Sequence, residues 1–212
     1  STCFHVACAT GASFPVIREI LEASDNPREL IINADQQNAT PMSDLVVQYT
    51  LERKSPENMR TSRPLEDIHD VYAEKERSVF FTSFWNKLEL MLFAASGSKS
   101  ILHGAASVAP MCPPLLTDFL LRNFAAKQMD NRLLPLHVAI SESSTYSERH
   151  DYFIEQLLNS YPQAVNIPFP NGRLPLIQAV ERGIASWNVL KRLCSAASIK
   201  QRDPVTGLYA WQ

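Results

Sequence analysis

The sequence predicts an all-α protein built as a stack of helical pairs, and three observations carry that prediction. A six-residue phrase, clearest as Leu134-Pro135-Leu136-His137-Val138-Ala139, recurs along the chain. Variants begin at Thr2, Thr40, Ser100, Leu134, Leu174 and Leu208, which sets the intervals at 38, 60, 34, 40 and 34 residues. Five positions after the starts stand Ala7, Leu45, Ala105, Ala139 and Ala179, small side chains in four of the five. After four of the starts an apolar stripe follows at helical spacing.

Taken in order, each start opens a first helix. Proline at the second position of Thr40-Pro41, Leu134-Pro135 and Leu174-Pro175 fixes φ and lacks the N–H that a first helical turn leaves unpaired. Thr40 can cap its helix with a hydroxyl, whereas Leu134 and Leu174 cannot, so their first N–H groups need other partners. The alanines let this helix lie close to its neighbours. Gly11 and Gly183, nine residues after two of the starts, suit a left-handed helix end.

The second helix of each unit follows from four stripes: Val16, Ile17, Ile20, Leu21; Leu115, Leu116, Phe119, Leu120; Tyr152, Phe153, Leu157, Leu158; and Val189, Leu190, Leu193, Cys194. Pro15 and Pro113-Pro114 stand where proline opens a helix. Between the pairs lie Asp35-Gln36-Gln37-Asn38, Asp130-Asn131-Arg132, Phe169-Pro170-Asn171-Gly172-Arg173 and Asp203-Pro204-Val205-Thr206-Gly207. Their Asn, Asp, Gly and Pro content is turn chemistry, tolerant of positive φ.

A turn followed by two helices, with a period near 33 residues, is the signature of ankyrin repeats, and on these residues the chain resembles that family. The Leu-Pro-Leu-His form replaces the commoner Thr-Pro-Leu-His, in a divergent eukaryotic style. The Trp/Leu/Gly/Tyr pattern of tetratricopeptide repeats, the other helix pair of this period, is not found. The resemblance implies one ankyrin-repeat domain over residues 1–212: a solenoid of stacked helix-turn-helix units with finger loops, with partial repeats at both ends. It also implies that His5, His103 and His137, which occupy one place in three repeats, hold the adjoining finger by hydrogen bonding. The chain is expected to be a segment of a longer protein.

The interval of 60 residues between Thr40 and Ser100 holds an extended helical-hairpin insert at approximately residues 48–80. A helix-like stretch runs from Met42 to Lys54, Ser55 to Pro64 reads as a loop, and Phe80, Phe81, Phe84, Trp85, Leu88, Met91 and Leu92 form a stripe. The expected arrangement lengthens both helices of one repeat so that their ends project from the stack. On that picture, deleting Glu52 to Arg77 leaves folding intact. The aromatic stripe either packs the second helix into the stack or offers a groove to a partner.

Composition narrows the function. An apolar fraction of 45%, with 20 basic and 22 acidic residues and a net charge of −2, is ordinary for a folded protein. No basic block marks a nucleic-acid partner, and no apolar run reaches the about 20 residues that span a bilayer. Cys3, Cys8, Cys112 and Cys194 form no CxxC pair, so reduced thiols are expected. Cys3-x-His5-x-x-Cys8 would point to different helix faces and offers no fourth metal ligand. His69 and His150, in charged surroundings, are expected at the surface. No phosphate loop, paired carboxylates or nucleophile elbow is found.

No catalytic, cofactor or metal site is therefore expected. The chain reads as a non-catalytic, monomeric protein-interaction scaffold of the cytoplasm or nucleus, binding an unidentified protein partner, with no nucleic acid and no membrane. A regulatory or substrate-recruiting arm of a larger enzyme is the alternative. Binding would use positions that packing leaves unspecified near the finger tips: Gln36, Gln37, Asn131, Arg132, Phe169, Asn171, Arg173, Arg202 and Val205. Phe169, flanked by Pro168 and Pro170, would serve as an aromatic anchor or pack on the next finger.

Overall fold

Proline, hydroxyl caps and left-handed glycines set the helix ends in a computed structural model that describes residues 2–98, 100–142 and 147–212. Among these residues the protein is all-α, with thirteen α-helices, three short 3-10 turns and no strand. Five first helices start at or beside the recurring phrase: α1 (Cys3–Ala9), α4 (Pro41–Arg53), α7 (Ile101–Ser107), α9 (Pro135–Ser141) and α11 (Pro175–Glu181). Their followers are α2 (Phe14–Glu22), α6 (Val79–Ser96), α8 (Pro114–Asn123), α10 (Glu148–Ser160) and α12 (Trp187–Leu193). Three short helices complete the set: α3 (Pro27–Ile32), α5 (Val71–Arg77) and α13 (Ala196–Lys200).

The two glycine ends are built alike. Gly11 and Gly183 both have φ of 73°, and the following amides reach back across the last turn, Ala12 N to Ala7 O at 2.9 Å and Ile184 N to Ala179 O at 3.0 Å. Each apolar stripe buries at least two of its members: Ile17 and Leu21, Leu116 and Phe119, Phe153 and Leu157, Val189 and Leu193 are all in the core.

Helix α6 is the centre of the protein. Ser78 caps its start, its hydroxyl oxygen accepting from the Phe81 N–H at 3.2 Å, and Gly97 ends it in a left-handed conformation. It packs against α2, α3, α4, α5 and α7. Phe81, Phe84, Trp85, Leu88, Met91, Leu92 and Ala95 form its buried face. Trp85 stacks on Phe124 at 5.7 Å and meets Phe119 edge-on at 6.1 Å, which ties α6 to α8. Gly104 lets α7 close on α6, because a Cβ there would stand 3.0 Å from the Leu92 carbonyl oxygen. The aromatic stripe of α6 is therefore core.

The segment before α6 does not project. It folds back as a 3-10 turn at Leu65–Asp67 followed by α5, and Leu65, Ile68 and Val71 are buried. The turn packs on α8, α5 packs on α6, and the Asn123 carboxamide accepts from the Val71 N–H at 3.2 Å. Apolar residues at 65, 68 and 71 are what reverse the expectation: exposed on a projecting hairpin they would remain in water.

The row of first helices is also interrupted. Helix α4 packs on α1, and α7 packs on α9, which packs on α11, while α7 faces α6 on its other side. The Thr40 hydroxyl at the head of α4 donates to the Met111 carbonyl beyond the end of α7 at 3.1 Å. Arg28 on α3 reaches the Ser107 carbonyl at 3.1 Å and also pairs with Glu142. Among the described residues no helix is long and apolar enough to cross a membrane.

Candidate interaction surface

Four turns follow the helical pairs, each holding two backbone bonds, one of them donated by its first residue. Asp35 N donates to Ala39 O at 2.8 Å, Asp130 N to Leu133 O at 2.9 Å, Phe169 N to Arg173 O at 2.8 Å and Asp203 N to Leu208 O at 2.7 Å. The Asp35 carboxylate accepts from the Gln37 and Ala39 amides, and Asp203 does the same for Val205 while taking the Thr206 hydroxyl. Asn131 and Arg132 carry φ of 52° and 66°, the geometry of a tight two-residue hairpin.

An imidazole joins three of the first helices to these turns. His5 Nε2 lies 3.2 Å from Ala39 O, His103 Nε2 2.9 Å from Leu133 O and His137 Nε2 3.0 Å from Ile167 O. A carbonyl only accepts, so Nε2 carries the proton in each. The other nitrogen then accepts at the head of its own helix, from the Leu134 N–H at 3.2 Å, the Ser100 hydroxyl at 2.7 Å and the Thr2 hydroxyl at 2.9 Å. Leu134, which lacks a capping side chain, thus finds its partner in His137. The fourth junction is built differently. Ile177 replaces histidine, and the Arg173 guanidinium forks onto Asp203 at 2.8 and 3.0 Å while pairing with Glu181. That fork holds the Asp203 carboxyl well below the usual carboxylate range.

This arrangement corrects two of the candidate contact residues. Phe169 is 6% exposed and its ring stacks on His137 at 4.2 Å, so it packs the junction and presents no anchor. Arg173 is 7% exposed and bound to two carboxylates. His150, expected at the surface, is buried and bonded to Ala139 O at 2.9 Å, while His69 is exposed. The remaining candidates, Gln36, Gln37, Asn131, Arg132, Asn171, Arg202 and Val205, are exposed. They lie on successive turns, with Arg202 stacked over the Tyr209 ring at 4.7 Å. The turns at Phe169 and Asp203 abut, since Gln201 donates to Gly172 O at 3.3 Å.

Apolar side chains that sequence reasoning missed stand exposed on the first helices, Val6 on α1, Val47 and Leu51 on α4 and Val180 on α11. Trp187 on α12 is 73% exposed and Trp211 61% exposed. A valine outside the buried stripe of a short first helix was the available signal.

The buried groups are chemically quiet. Burial pushes the thiols of Cys8 and Cys112 up to about 12, so both stay protonated at neutral pH. Burial lowers His137 from 6.5 to about 4, against the Ile167 hydrogen bond, which works the other way. The unfolded chain then takes up a proton that the folded one refuses as pH falls from 6.5 towards 4. The contribution is absent above 6.5 and amounts to about 3 kcal/mol of lost stability by pH 4. His150 is lowered by burial too and adds in the same sense. Urea unfolding between pH 7.5 and 4.5 should show the fall, with a shallower slope in His137→Gln; parallel slopes would rule out His137 as its source.

Comparison with family models, with curated proteins and with solved structures finds no match.

Proposed function

We propose that this chain is a divergent ankyrin-repeat protein that acts as a non-catalytic scaffold for a protein partner, bound along the turn tips and the adjoining first helices. One observation carries the reading: the same imidazole bridge, from the head of a first helix to the next turn, is repeated at His5, His103 and His137. Three equivalent histidines with both ring nitrogens engaged by helix heads and carbonyls serve architecture. Repeated units rigidly present whatever the junctions leave free. Here those are the polar tips Gln36, Gln37, Asn131, Arg132, Asn171 and Arg202 with Val205, beside exposed Val6 and Val180. An aromatic-free, polar set of tips suits recognition of a hydrogen-bonding protein surface, with the valines supplying apolar contact.

The interrupted row divides this surface into the α1–α4 face and the α7–α9–α11 face, so each is a separate contact region. The test is affinity capture with the intact chain and with a variant carrying Gln36→Ala, Gln37→Ala, Arg132→Gly and Arg202→Ala. These exposed changes are expected to alter stability by no more than about 0.5 kcal/mol each, and to remove partners that the intact chain retains. Recovery of the same partners at the same yield by a folded variant would refute binding at the tips.

A further inference from the structure

A cleft of about 350 Å³ opens between residues 59–63 and α5, and its lining includes Arg60, Arg63, Glu74 and Arg77. Its floor is unusual. The Glu74 side chain is 7% exposed, and its Oε1 is fully covered without a hydrogen-bond partner. Oε2 has Arg63 Nε at 3.9 Å, beyond hydrogen-bond reach. The Ser62 and Ser78 hydroxyls bond to each other at 3.0 Å, and neither reaches Oε1. A buried carboxylate oxygen without a donor is costly, and the residue that carries it lines the cleft.

The rim has the opposite character. Arg60 and Arg77 are exposed and form no ion pair among the described residues, where five pairs occur elsewhere and the cleft's own is Arg63–Glu74. Three guanidiniums around one carboxylate give a local excess of positive charge on a chain whose net charge is −2.

We propose that this cleft docks an extended acidic peptide of a partner protein through one lysine or arginine side chain, which enters and donates to Glu74 while flanking carboxylates meet Arg60 and Arg77. Each simpler ligand fails on charge. An all-acidic segment sets a carboxylate against Glu74, an all-basic one meets three guanidiniums, and an apolar side chain leaves the Glu74 carboxylate without a full hydrogen-bond donor. Alternation of side chains along a strand spaces same-side neighbours by about 7 Å, so a cation between acidic residues can address floor and rim together. None of the cleft's lining residues belongs to a turn tip, and the site stands independently of the proposed scaffold function.

The probe is an acetylated, amidated Asp-Asp-Lys-Asp-Asp peptide, titrated into the full chain at low ionic strength while backbone amide shifts are followed. Shifts should concentrate at residues 59–63 and 74–77, and replacing the peptide lysine by norleucine should weaken binding about tenfold or more, the worth of a charge-assisted hydrogen bond. Glu74→Gln should weaken the lysine peptide by a similar factor and abolish its advantage over norleucine. The variant Arg60→Gln/Arg77→Gln, altered only at exposed positions, should keep its thermal transition and weaken both peptides. The proposal is overturned if the two peptides bind the intact chain equally, if shifts map elsewhere or are absent, or if Glu74→Gln keeps the preference. Should Glu74→Gln not fold, undiminished binding to the double arginine variant overturns it alone.

Discussion

Replacing Trp85 with alanine is expected to cost about 3–5 kcal/mol, the range for emptying an aromatic site in a core. The expectation follows from position as well as size. Trp85 is fully buried on the helix that joins α2, α3, α4, α5 and α7, and its ring lies against Phe81, Phe119 and Phe124. Removing it leaves a void lined by three large rings of two helices, which cannot collapse without moving α8. Its indole N–H has no hydrogen-bond partner among the described residues, so Trp85→Phe removes an unsatisfied donor along with part of the volume and is expected to cost far less. Denaturant unfolding measures both. Fluorescence gives a second readout, since Trp187 and Trp211 are exposed: the blue-shifted emission should vanish with Trp85 and leave a solvent-like spectrum. A loss below about 1 kcal/mol in Trp85→Ala would mean that α6 is not the organising element.

The helical pairs were legible in the sequence because their signals are local. Pro41, Pro114, Pro135 and Pro175 each stand at the first position of the helix they open, and the left-handed ends at Gly11 and Gly183 follow from a residue without a Cβ. The histidine equivalence was legible for another reason: three copies at one register expose a shared role without any structure. What stayed hidden depends on contacts distant in sequence. Arg173 looks like a free turn residue until Asp203, thirty residues on, closes the fork. Phe169 looks exposed between prolines until His137 lies under its ring. His150 sits among charged neighbours, yet the turn of α10 carries it to the Ala139 carbonyl. Short helices such as α3 and α5 span too few residues for periodicity to declare them. The break between α4 and α7 belongs to the same class, because it is set by α6 lying beside α7 and no residue of the phrase itself encodes it.

Deleting Glu52 to Arg77 and closing the gap with a short linker is expected to abolish cooperative thermal unfolding. The deletion removes Leu65, Ile68 and Val71, each 1–2% exposed, and full burial of such side chains stabilises by about 1.5–3 kcal/mol apiece. Their combined loss is comparable to the whole stability of an ordinary domain, about 5–15 kcal/mol. Other bonds go with them. The Tyr49 hydroxyl donates to Arg63 O at 2.8 Å and Asn58 to Glu52 O at 2.8 Å, so a buried phenol on α4 would lose its acceptor. The faces of α6 and α8 that this segment covers would become wet. Leu65→Ala and Ile68→Ala separate this account from an effect of the linker: each is expected to cost about 2–5 kcal/mol in the intact chain. A deletion variant that still melts in one sharp transition, with both alanine variants near the parent midpoint, would return the segment to the projecting arrangement that its polar, proline-containing loop first suggests.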